Sequence, residues 1–280
     1  MGEKKMEYQF ELVGKIGSMA LIRKEDQAID YNIISRLGAD LRPGMIWVTS
    51  GATEIGRLDY IQRTGRELNG DPEQDKTDYS SQGQSILMQN YRQFIRPEYG
   101  VRQILVEHTH FNDPEKREHI RQLLNRAAQQ NTIPIINYND PVSDEENRKM
   151  ELAARRKLGG EVHECVDNDE TAAVIAELVK AKVLVLMTST EGIYREAGNP
   201  DTLVREVFGR DPEEVERKVR ELQRCCVGAS RAGANGAGAK LEYALSCVKK
   251  GTTVVIGHAR YHLQDLAAGR VPCTRIGVEG

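Results

Sequence analysis

Two lysines beside glycines are the side chains of this sequence best suited to holding a phosphate. Lys15 lies within the run GKIG at residues 14–17, and Lys240 ends the glycine-rich run GASRAGANGAGAK at residues 228–240. Glycines leave backbone amides accessible to phosphate oxygens, and an ammonium beside them can reach a transferred group. The second run is not a Walker A motif, because Leu241 stands where Ser or Thr is required. A solvated turn lysine and a flexible surface linker are the alternatives for the two runs.

The turn at residues 49–52 (TSGA) is a second candidate for binding an anion. It follows the apolar run IWV at residues 46–48, which has the length and β-branched character of a buried strand. If the turn opens a helix, the first amides of that helix are unpaired and carry the positive end of its dipole. The residues expected at the anion are Ser50, Gly51 and Ala52.

Polar side chains also stand where two further strands are predicted to end and where one helix is predicted to begin. Open α/β sheets bind ligands at the carboxyl ends of their strands. The candidates are the polar runs at residues 137–142 after a strand at 132–137, at residues 188–194 after a strand at 183–187, and at residues 166–170 before a helix at 171–180. Asn and Asp are also common in turns and helix caps, so a purely structural role is the alternative.

The histidines and cysteines do not indicate a metal site. His108 and His110 alternate beyond a strand at 101–106, a spacing that metal sites sometimes use, but no third ligand stands close in sequence. We therefore interpret them as surface or interface histidines. The five cysteines are odd in number and lack CxxC spacing, which favours buried or free thiols over a disulfide framework.

Strands that alternate with helices must position these residues, and this order favours an α/β fold with a mostly parallel sheet. Strands are predicted at residues 10–13, 46–48, 101–106, 132–137, 183–187 and 252–256, with an edge strand at 271–276. Helices are predicted at residues 28–37, 81–94, 115–130, 171–180, 211–223 and 241–249. Residues 57–79 are interpreted as a helix followed by an exposed loop, and residues 144–160 as an exposed helical excursion whose basic run at 155–157 is solvated.

Composition and charge restrict the classes of partner. Of the 280 residues, 39% are hydrophobic and 29% charged, as in an ordinary soluble enzyme, and the formal net charge of −3 gives no reason to expect nucleic acid. No apolar run approaches the roughly 20 residues that span a bilayer, and the polar amino terminus lacks the apolar core of a signal peptide. A cytoplasmic protein without membrane or nucleic-acid partners is expected.

Six of these segments, taken in order, resemble the amino acid kinase superfamily, and within it the glutamate 5-kinase family most closely. They are residues 14–18, 48–52, 134–140, 167–169, 186–188 and 233–240. The resemblance implies a three-layer αβα sandwich of amino acid kinase fold, in a single domain over residues 1–280 without a following PUA domain. It also implies an acceptor-binding lobe over approximately residues 1–170 and a nucleotide-binding lobe over residues 171–280.

The resemblance further implies a role for each candidate residue. Those that match acceptor-binding residues are Ser50, Gly51, Ala52, Asp140 and Asn168. Lys15 and Lys240 match lysines on the transferred phosphate, and Asp169 matches an acid that organises them. Those that match nucleotide-binding residues are Lys15, Thr188, Ser189, Asn235, Gly236, Gly238 and Lys240. No direct protein ligand to a metal is implied.

The implied activity is that of a kinase that uses ATP and Mg²⁺ to phosphorylate the side-chain carboxylate of glutamate or a similar small acid. In glutamate 5-kinases this step belongs to proline biosynthesis, and a homo-oligomer is expected. The alternatives are a family kinase for another acceptor, such as uridylate or another small acid, and a non-catalytic nucleotide- or oxoanion-binding protein on the same fold.

Three departures from the family pattern bear on the nucleotide and the acceptor. Ser189 replaces the usual Asp after Thr188, and residues 233–240 read GANGAGAK where the family reads roughly GTGGMxTK. Both changes fall on nucleotide-binding elements. The excursion at 144–160 lengthens the connection between Asp140 and Asn168. Since this connection borders the acceptor site, the acceptor can differ from glutamate.

Overall fold

The computed structural model describes residues 9–23, 25–159, 162–196, 199–225 and 236–279. The strands are β1 (Phe10–Ile16), β2 (Met45–Val48), β3 (Gly100–Val106), β4 (Thr132–Tyr138), β5 (Ala181–Thr188), β6 (Glu206–Gly209), β7 (Thr253–His258) and β8 (Cys273–Val278). The helices are α1 (Tyr31–Asp40), α2 (Ala52–Thr64), α3 (Pro72–Phe94), α4 (Thr109–Asn112), α5 (Pro114–Gln129), α6 (Glu145–Leu158), α7 (Asn168–Leu178), α8 (Pro212–Gln223), α9 (Gly236–Lys249) and α10 (Leu263–Ala267).

These strands form one eight-stranded sheet in the order β3-β4-β2-β1-β5-β7-β8-β6. Neighbouring strands run parallel except β7 and β8, which are antiparallel. Parallel neighbours need a crossover connection, which explains why helices separate most strands in the sequence. The predicted α/β class with a mostly parallel sheet is confirmed. Within the described ranges, no helix has both the length and the apolar character needed to cross a bilayer.

The sheet has a separate hydrophobic core on each face. Leu12 and Trp47 pack in a cluster that contains buried residues of α1, α2, α3 and α10. Their chain neighbours Val13 and Ile46 pack in another cluster, with buried residues of α5, α7, α8 and α9. Because successive side chains of a strand point to opposite faces, each strand contributes to both cores. The predicted three-layer αβα sandwich is therefore confirmed.

The two phosphate-binding candidates lie in regular structure, and the predicted boundaries around them are wrong. β1 continues to Ile16, so Lys15 is a strand residue and not part of a turn. Gly14 is needed for packing, because a Cβ there would lie 2.2 Å from the ring of Trp47 on the neighbouring strand. Lys240 lies inside α9, which begins at Gly236 and not after Lys240. Residues 228–235 of the glycine-rich run lie outside the described residues.

Two further boundaries differ from the sequence prediction. β8 is not the edge strand, because β6 pairs with its outer side. The sequence predicts no strand over β6, since four residues are too few to show a periodic pattern. α3 begins at Pro72, where Asp71 accepts hydrogen bonds from the amides of Glu73 and Gln74. The exposed loop predicted to reach residue 79 therefore ends at residue 71.

Two glycines allow α2 and α3 to approach within backbone contact. A Cβ on Gly83 would lie 1.8 Å from the carbonyl oxygen of Ala52, and a Cβ on Gly56 would lie 1.8 Å from that of Tyr79. Real side chains do not tolerate such distances, so only glycine fits at both positions. The contact fixes the amino end of α2, which directly follows the turn of Ser50.

We expect Gly83→Ala to lower the free energy of unfolding by about 3 kcal/mol, because the added methyl group forces the two helices apart. Urea denaturation followed by circular dichroism measures the change. Gln89→Ala, at an exposed position of the same helix, is the matched control and should stay within about 0.5 kcal/mol of wild type. A Gly83→Ala variant as stable as its control would contradict the close helix contact.

Candidate active site

A buried carboxylate held between two lysines lies at the centre of the site. Asp169 belongs to the first turn of α7, and its side chain is 3% exposed. Its Oδ1 lies 2.6 Å from Nζ of Lys15 on β1, and its Oδ2 lies 2.5 Å from Nζ of Lys240 on α9. The structure thus brings together, from positions far apart in the chain, two lysines assigned to phosphate binding and the acid that the resemblance assigns to organising them.

The two lysines keep Asp169 ionised in spite of its burial. Burial alone would raise the pKa of this carboxyl group, but the charges and hydrogen bonds of Lys15 and Lys240 outweigh it and hold the pKa below its ordinary value. The neighbouring Asp167 accepts a hydrogen bond from the amide of Asp169 and caps α7. Burial, and then the charge of Asp169, raise the pKa of Asp167. One of the acids before this helix is therefore a cap, as expected.

A network of amide side chains connects the ends of β2 and β4 to α7. Asn168 Nδ2 donates to Ser50 Oγ at 3.0 Å and to Asn137 Oδ1 at 3.1 Å. Asn137 Nδ2 in turn donates to Gln84 Oε1 on α3 at 2.9 Å. Asn168 Oδ1 is buried and has no hydrogen-bond partner among the described residues. This oxygen can therefore accept a hydrogen bond from a ligand.

The turn after β2 opens a helix, as the sequence predicts. Gly51 has a left-handed conformation with φ of 103°, and α2 follows it at Ala52. Within the described part of the chain, no side chain forms a capping hydrogen bond at this end of the helix. Its first amides are therefore left for water or for an anion.

One cavity of about 860 Å³ joins these groups. The predicted site residues among its lining are Lys15, Ser50, Asn168, Asp169, Thr188, Ser189 and Lys240. The predicted site residues that are described but do not line it are Gly51, Ala52, Asp140, Gly236 and Gly238. Asn235 lies outside the described residues. Gly236 and Gly238 belong to the first turn of α9, so they do not form the loop cradle that the sequence predicts.

Asp140 makes an ion pair within the protein. Its Oδ1 lies 3.2 Å from Nζ of Lys76, which extends from α3. The Asp140 side chain is one-fifth exposed, at 20%. Asp140 thus keeps its expected place after β4, but its charge is already balanced, and its contact with an acceptor stays a prediction.

The helix α6 contributes to this cavity, which its sequence does not indicate. The predicted excursion is indeed a helix, but Glu145, Arg148 and Lys149 in its first half line the cavity. The basic run farther along does not line it: Arg155 donates to the carbonyl oxygen of Asn112 at 2.7 Å, and Arg156 is exposed. The available signal was position, because the excursion directly follows Asp140.

His108 is not the surface histidine that the sequence suggests. Its side chain is buried, and Nε2 lies 2.7 Å from Oε2 of Glu151 on α6. His108 also precedes the short helix α4, so it does not alternate with His110 along a strand. Among the described residues, no group of three or more His, Cys, Asp or Glu side chains is arranged to hold a metal ion.

Comparisons with known proteins find related sequences and structures. Residues 12–258 match the model of the amino acid kinase family. Glutamate 5-kinase 2 of Bacillus subtilis is 32% identical over 204 residues, which cover 68% of this chain and 47% of that protein. Glutamate 5-kinase of Streptococcus suis is 28% identical over 253 residues, covering 88% and 63% respectively. This chain therefore spans about half to two thirds of those two relatives, and 85% of glutamate 5-kinase of Listeria monocytogenes, at 30% identity.

Solved structures show the same fold at low sequence identity. Carbamate kinase from Giardia lamblia bound to AMP-PNP has a TM-score of 0.59 at 13% identity, with 97% of this chain and 99% of that chain covered. N-acetylglutamate synthase from Neisseria gonorrhoeae complexed with coenzyme A and L-arginine has a TM-score of 0.57 at 16% identity, with 98% and 62% covered. These likenesses support the fold alone.

We expect Asp167→Asn to stabilise the protein at pH 7. Asn caps a helix as well as Asp does, and the substitution removes a charge that burial and Asp169 disfavour. An acid with a raised folded-state pKa destabilises the fold when ionised. The gain should therefore be present above that folded pKa and vanish as the pH falls below the ordinary value of about 3.9.

Thermal unfolding at pH 7 and at pH 3 measures this dependence. Asp211→Asn, at the exposed N-cap of α8, is the control for the cap exchange itself. A melting temperature of Asp167→Asn that does not exceed that of Asp211→Asn at pH 7 would contradict the unfavourable charge at Asp167.

Proposed function

This chain belongs to the amino acid kinase family, and we propose that it transfers the γ-phosphoryl group of ATP to the side-chain carboxylate of glutamate or a similar small acid. The observation that carries the proposal is the placement of Lys15 and Lys240 on the two oxygens of Asp169. Two ammonium groups on one carboxylate leave a net positive charge, which would stabilise the negative charge of a phosphoryl group in transfer.

The reaction needs charge stabilisation more than proton transfer. A carboxylate oxygen of the acceptor attacks the γ-phosphorus, and the bond from that phosphorus to the β,γ-bridging oxygen breaks. The electron pair of the broken bond leaves on ADP, and the other product is an acyl phosphate. The acceptor carboxylate is already deprotonated at neutral pH, so no general base is required. The two lysines offset the repulsion between the acceptor and the phosphates.

The cavity offers different chemistry to the two substrates. Ser50 and Asn168 would hold the acceptor, and the buried Asn168 Oδ1 would accept a hydrogen bond from its ammonium group. Gly51 and Ala52 do not line the cavity themselves, so the start of α2 would act on an acceptor carboxylate through the positive end of the helix dipole. Asp140 would complete this side only if it exchanged Lys76 for the acceptor.

The nucleotide would lie on the opposite side of the lysines. Thr188 and Ser189 stand at the end of β5 and line the cavity. Gly236 and Gly238 begin α9, whose amino end would attract phosphates in place of the predicted loop cradle. We accordingly propose an acceptor lobe over approximately residues 1–170 and a nucleotide lobe over residues 171–280. Asn235, which the resemblance assigns to the nucleotide, lies outside the described residues.

The residues present fit a magnesium ion held mainly by the phosphates of the nucleotide. Magnesium in phosphate-transferring sites is usually bound through one or two carboxylates together with substrate phosphates and water. Asp167 lines the cavity and has no lysine partner within the described residues, so it is the carboxylate that would hold the ion. When bound, Mg²⁺ would supply positive charge to the phosphates.

Another acceptor within the same family is the second candidate function. The observation that favours it is the lining of the cavity by α6, which belongs to the excursion between Asp140 and Asn168. An acid larger or more strongly charged than glutamate would meet this helix.

Release of ADP from Mg·ATP, measured with a panel of acceptors, tests the function directly. The panel comprises glutamate, aspartate, N-acetylglutamate, carbamate and uridylate. We expect acceptor-dependent ADP release with glutamate or with another carboxylic acid of the panel. Release with uridylate alone would overturn the carboxylate acceptor, and calorimetric binding of ATP without turnover of any acceptor would instead indicate a binding protein.

Replacement of Lys240 by methionine should lower kcat by about 10²–10³-fold, the usual cost of removing one charge-stabilising donor from a transition state. Lys249→Met is the matched control, because Lys249 lies on the same helix, is half-exposed and does not line the cavity. Steady-state kinetics on both variants, with circular dichroism to verify folding, make the measurement. A folded Lys240→Met enzyme with the turnover of its control would refute the role of this lysine.

A further inference from the structure

The helix α6 is held in a defined position beside the cavity. At its amino end, the amide of Glu145 donates to Oε1 of Glu73 on α3 at 3.1 Å. Farther along, Glu151 contacts the buried His108, and the guanidinium of Arg155 donates to the carbonyl oxygen of Asn112. These contacts attach the helix to two different parts of the fold. The backbone positions from which its side chains reach the cavity are therefore fixed.

The carboxylates that line the cavity already have partners. Glu145 is paired with Lys149, and Glu164 with Arg156. The remaining pairings are Asp167 with the amide of Asp169, Asp169 with Lys15 and Lys240, and Glu170 with the amides of Glu164 and Cys165. Among the described residues, the cavity-lining acids without a lysine or arginine in ion-pair contact are therefore Asp167, which we assign to Mg²⁺, and Glu170, whose carboxylate accepts two amide hydrogen bonds.

Arg148 is a cavity-lining cation that has no carboxylate in ion-pair contact among the described residues, although its charge contributes to lowering the pKa of Glu145 on the same helix, after the larger effect of Lys149. Its guanidinium donates to Ser143 Oγ at 3.0 Å. Arg148 is half-buried, and its guanidinium is charged at any physiological pH. A planar guanidinium is also the side chain best shaped to bind a carboxylate through two parallel hydrogen bonds.

The surroundings of Arg148 place it on the acceptor side of the cavity. Ser143, its hydrogen-bond partner, lies 3.2 Å from the hydroxyl of Tyr138 at the end of β4. Asn137, the preceding residue of that strand, accepts the hydrogen bond from Asn168. In the sheet, β2 and β1 separate β4 from β5, whose end carries Thr188. Arg148 is thus connected to the acceptor residues rather than to the nucleotide residues.

We propose that Arg148 binds the second, non-reacting carboxylate of a dicarboxylic acceptor. This inference rests on the proposed carboxylate kinase activity and adds the specificity-determining residue and the acceptor class. The ion pair between Asp140 and Lys76 agrees with it, because an Asp140 paired with a lysine opposes the binding of a second carboxylate less than an unpaired one would. The guanidinium on α6 would then recognise the charge at the non-reacting end of the acceptor.

Three acids that differ by one group each separate this role from others. Glutamate has both carboxylates and an amino group, glutarate lacks the amino group, and 4-aminobutyrate lacks the second carboxylate. Steady-state kinetics compare wild type with Arg148→Met, with Arg148→Lys and with Lys157→Met. Lys157 is the matched control, because it lies on the same helix, is exposed and does not line the cavity.

In Arg148→Met we expect KM for glutamate and glutarate to rise about 10- to 100-fold, the effect of losing a hydrogen-bonded charge pair. KM for ATP should stay within a factor of about 3 of the wild-type value. KM for 4-aminobutyrate should not change, since this acid has no second carboxylate for Arg148 to bind. Arg148→Lys should recover part of the loss, because it keeps the charge but not the fork. Lys157→Met should behave as wild type.

Several results would overturn the inference. A rise in KM for ATP alone would assign Arg148 to the nucleotide phosphates. An equal loss of kcat/KM for all three acids would indicate a structural role, and unchanged kinetics would exclude any role. In each of these cases, acceptor-dependent ADP release by wild type would still support the proposed kinase activity.

If wild type turns over none of the acids, the proposed activity fails. A binding measurement then still tests the role of Arg148. Calorimetric titration of wild type and Arg148→Met with glutarate, in the presence of Mg·ADP, then supplies the readout. Weaker binding to the variant by tenfold or more supports the role of Arg148, whereas equal binding, or no binding of glutarate to wild type, contradicts it.

Discussion

A charged carboxylate that is removed from water governs the arrangement of this site. The Asp169 side chain is 3% exposed, and a buried charge is tolerated only when opposite charges lie close to it. Lys15 and Lys240 meet this requirement from β1 and α9, so one carboxylate fixes three elements that are distant in the chain. Positive charge exceeds negative charge among these three groups, and the excess is what a phosphoryl group in transfer would use.

The parallel sheet brings the remaining polar groups to the same place. Ser50 follows β2, Asn137 belongs to the end of β4, and Thr188 ends β5. Because these strands are parallel to β1, their carboxyl ends lie at one edge of the sheet, where open α/β folds bind ligands. Hydrogen bonds from Asn168 then join the first two of these ends to the helix that carries Asp169.

Sequence patterns predicted the residues at strand ends better than the exact local structure around them. Ser50, Asn168 and Asp169 could be found because small or polar residues follow apolar runs and precede a helix. The conformation at Lys15 could not, because Gly14 looks like a turn residue and is in fact required under the ring of Trp47, a contact between two strands.

The role of α6 also depends on long-range contacts that the sequence does not reveal. Its charged sequence predicts an exposed helix, and only the tertiary contacts of Glu151 and Arg155 reveal which of its faces meets the cavity. β6 escaped prediction because a four-residue strand has too few positions to show alternation. Local propensity thus identified most elements, whereas long-range packing decided which side chains reach the site.

A crystal structure with Mg·ADP, aluminium fluoride and glutamate tests the central claim most directly, because the fluoride occupies the position of the phosphoryl group in transfer. We expect Nζ of both Lys15 and Lys240 at about 3 Å from the fluoride, a hydrogen-bonding distance, with Asp169 still between them and the acceptor carboxylate on the side of Ser50. A fluoride bound away from both lysines, with Asp169 unchanged between them, would show that the buried ion pairs serve only the fold and would contradict a phosphoryl-transfer site at this position.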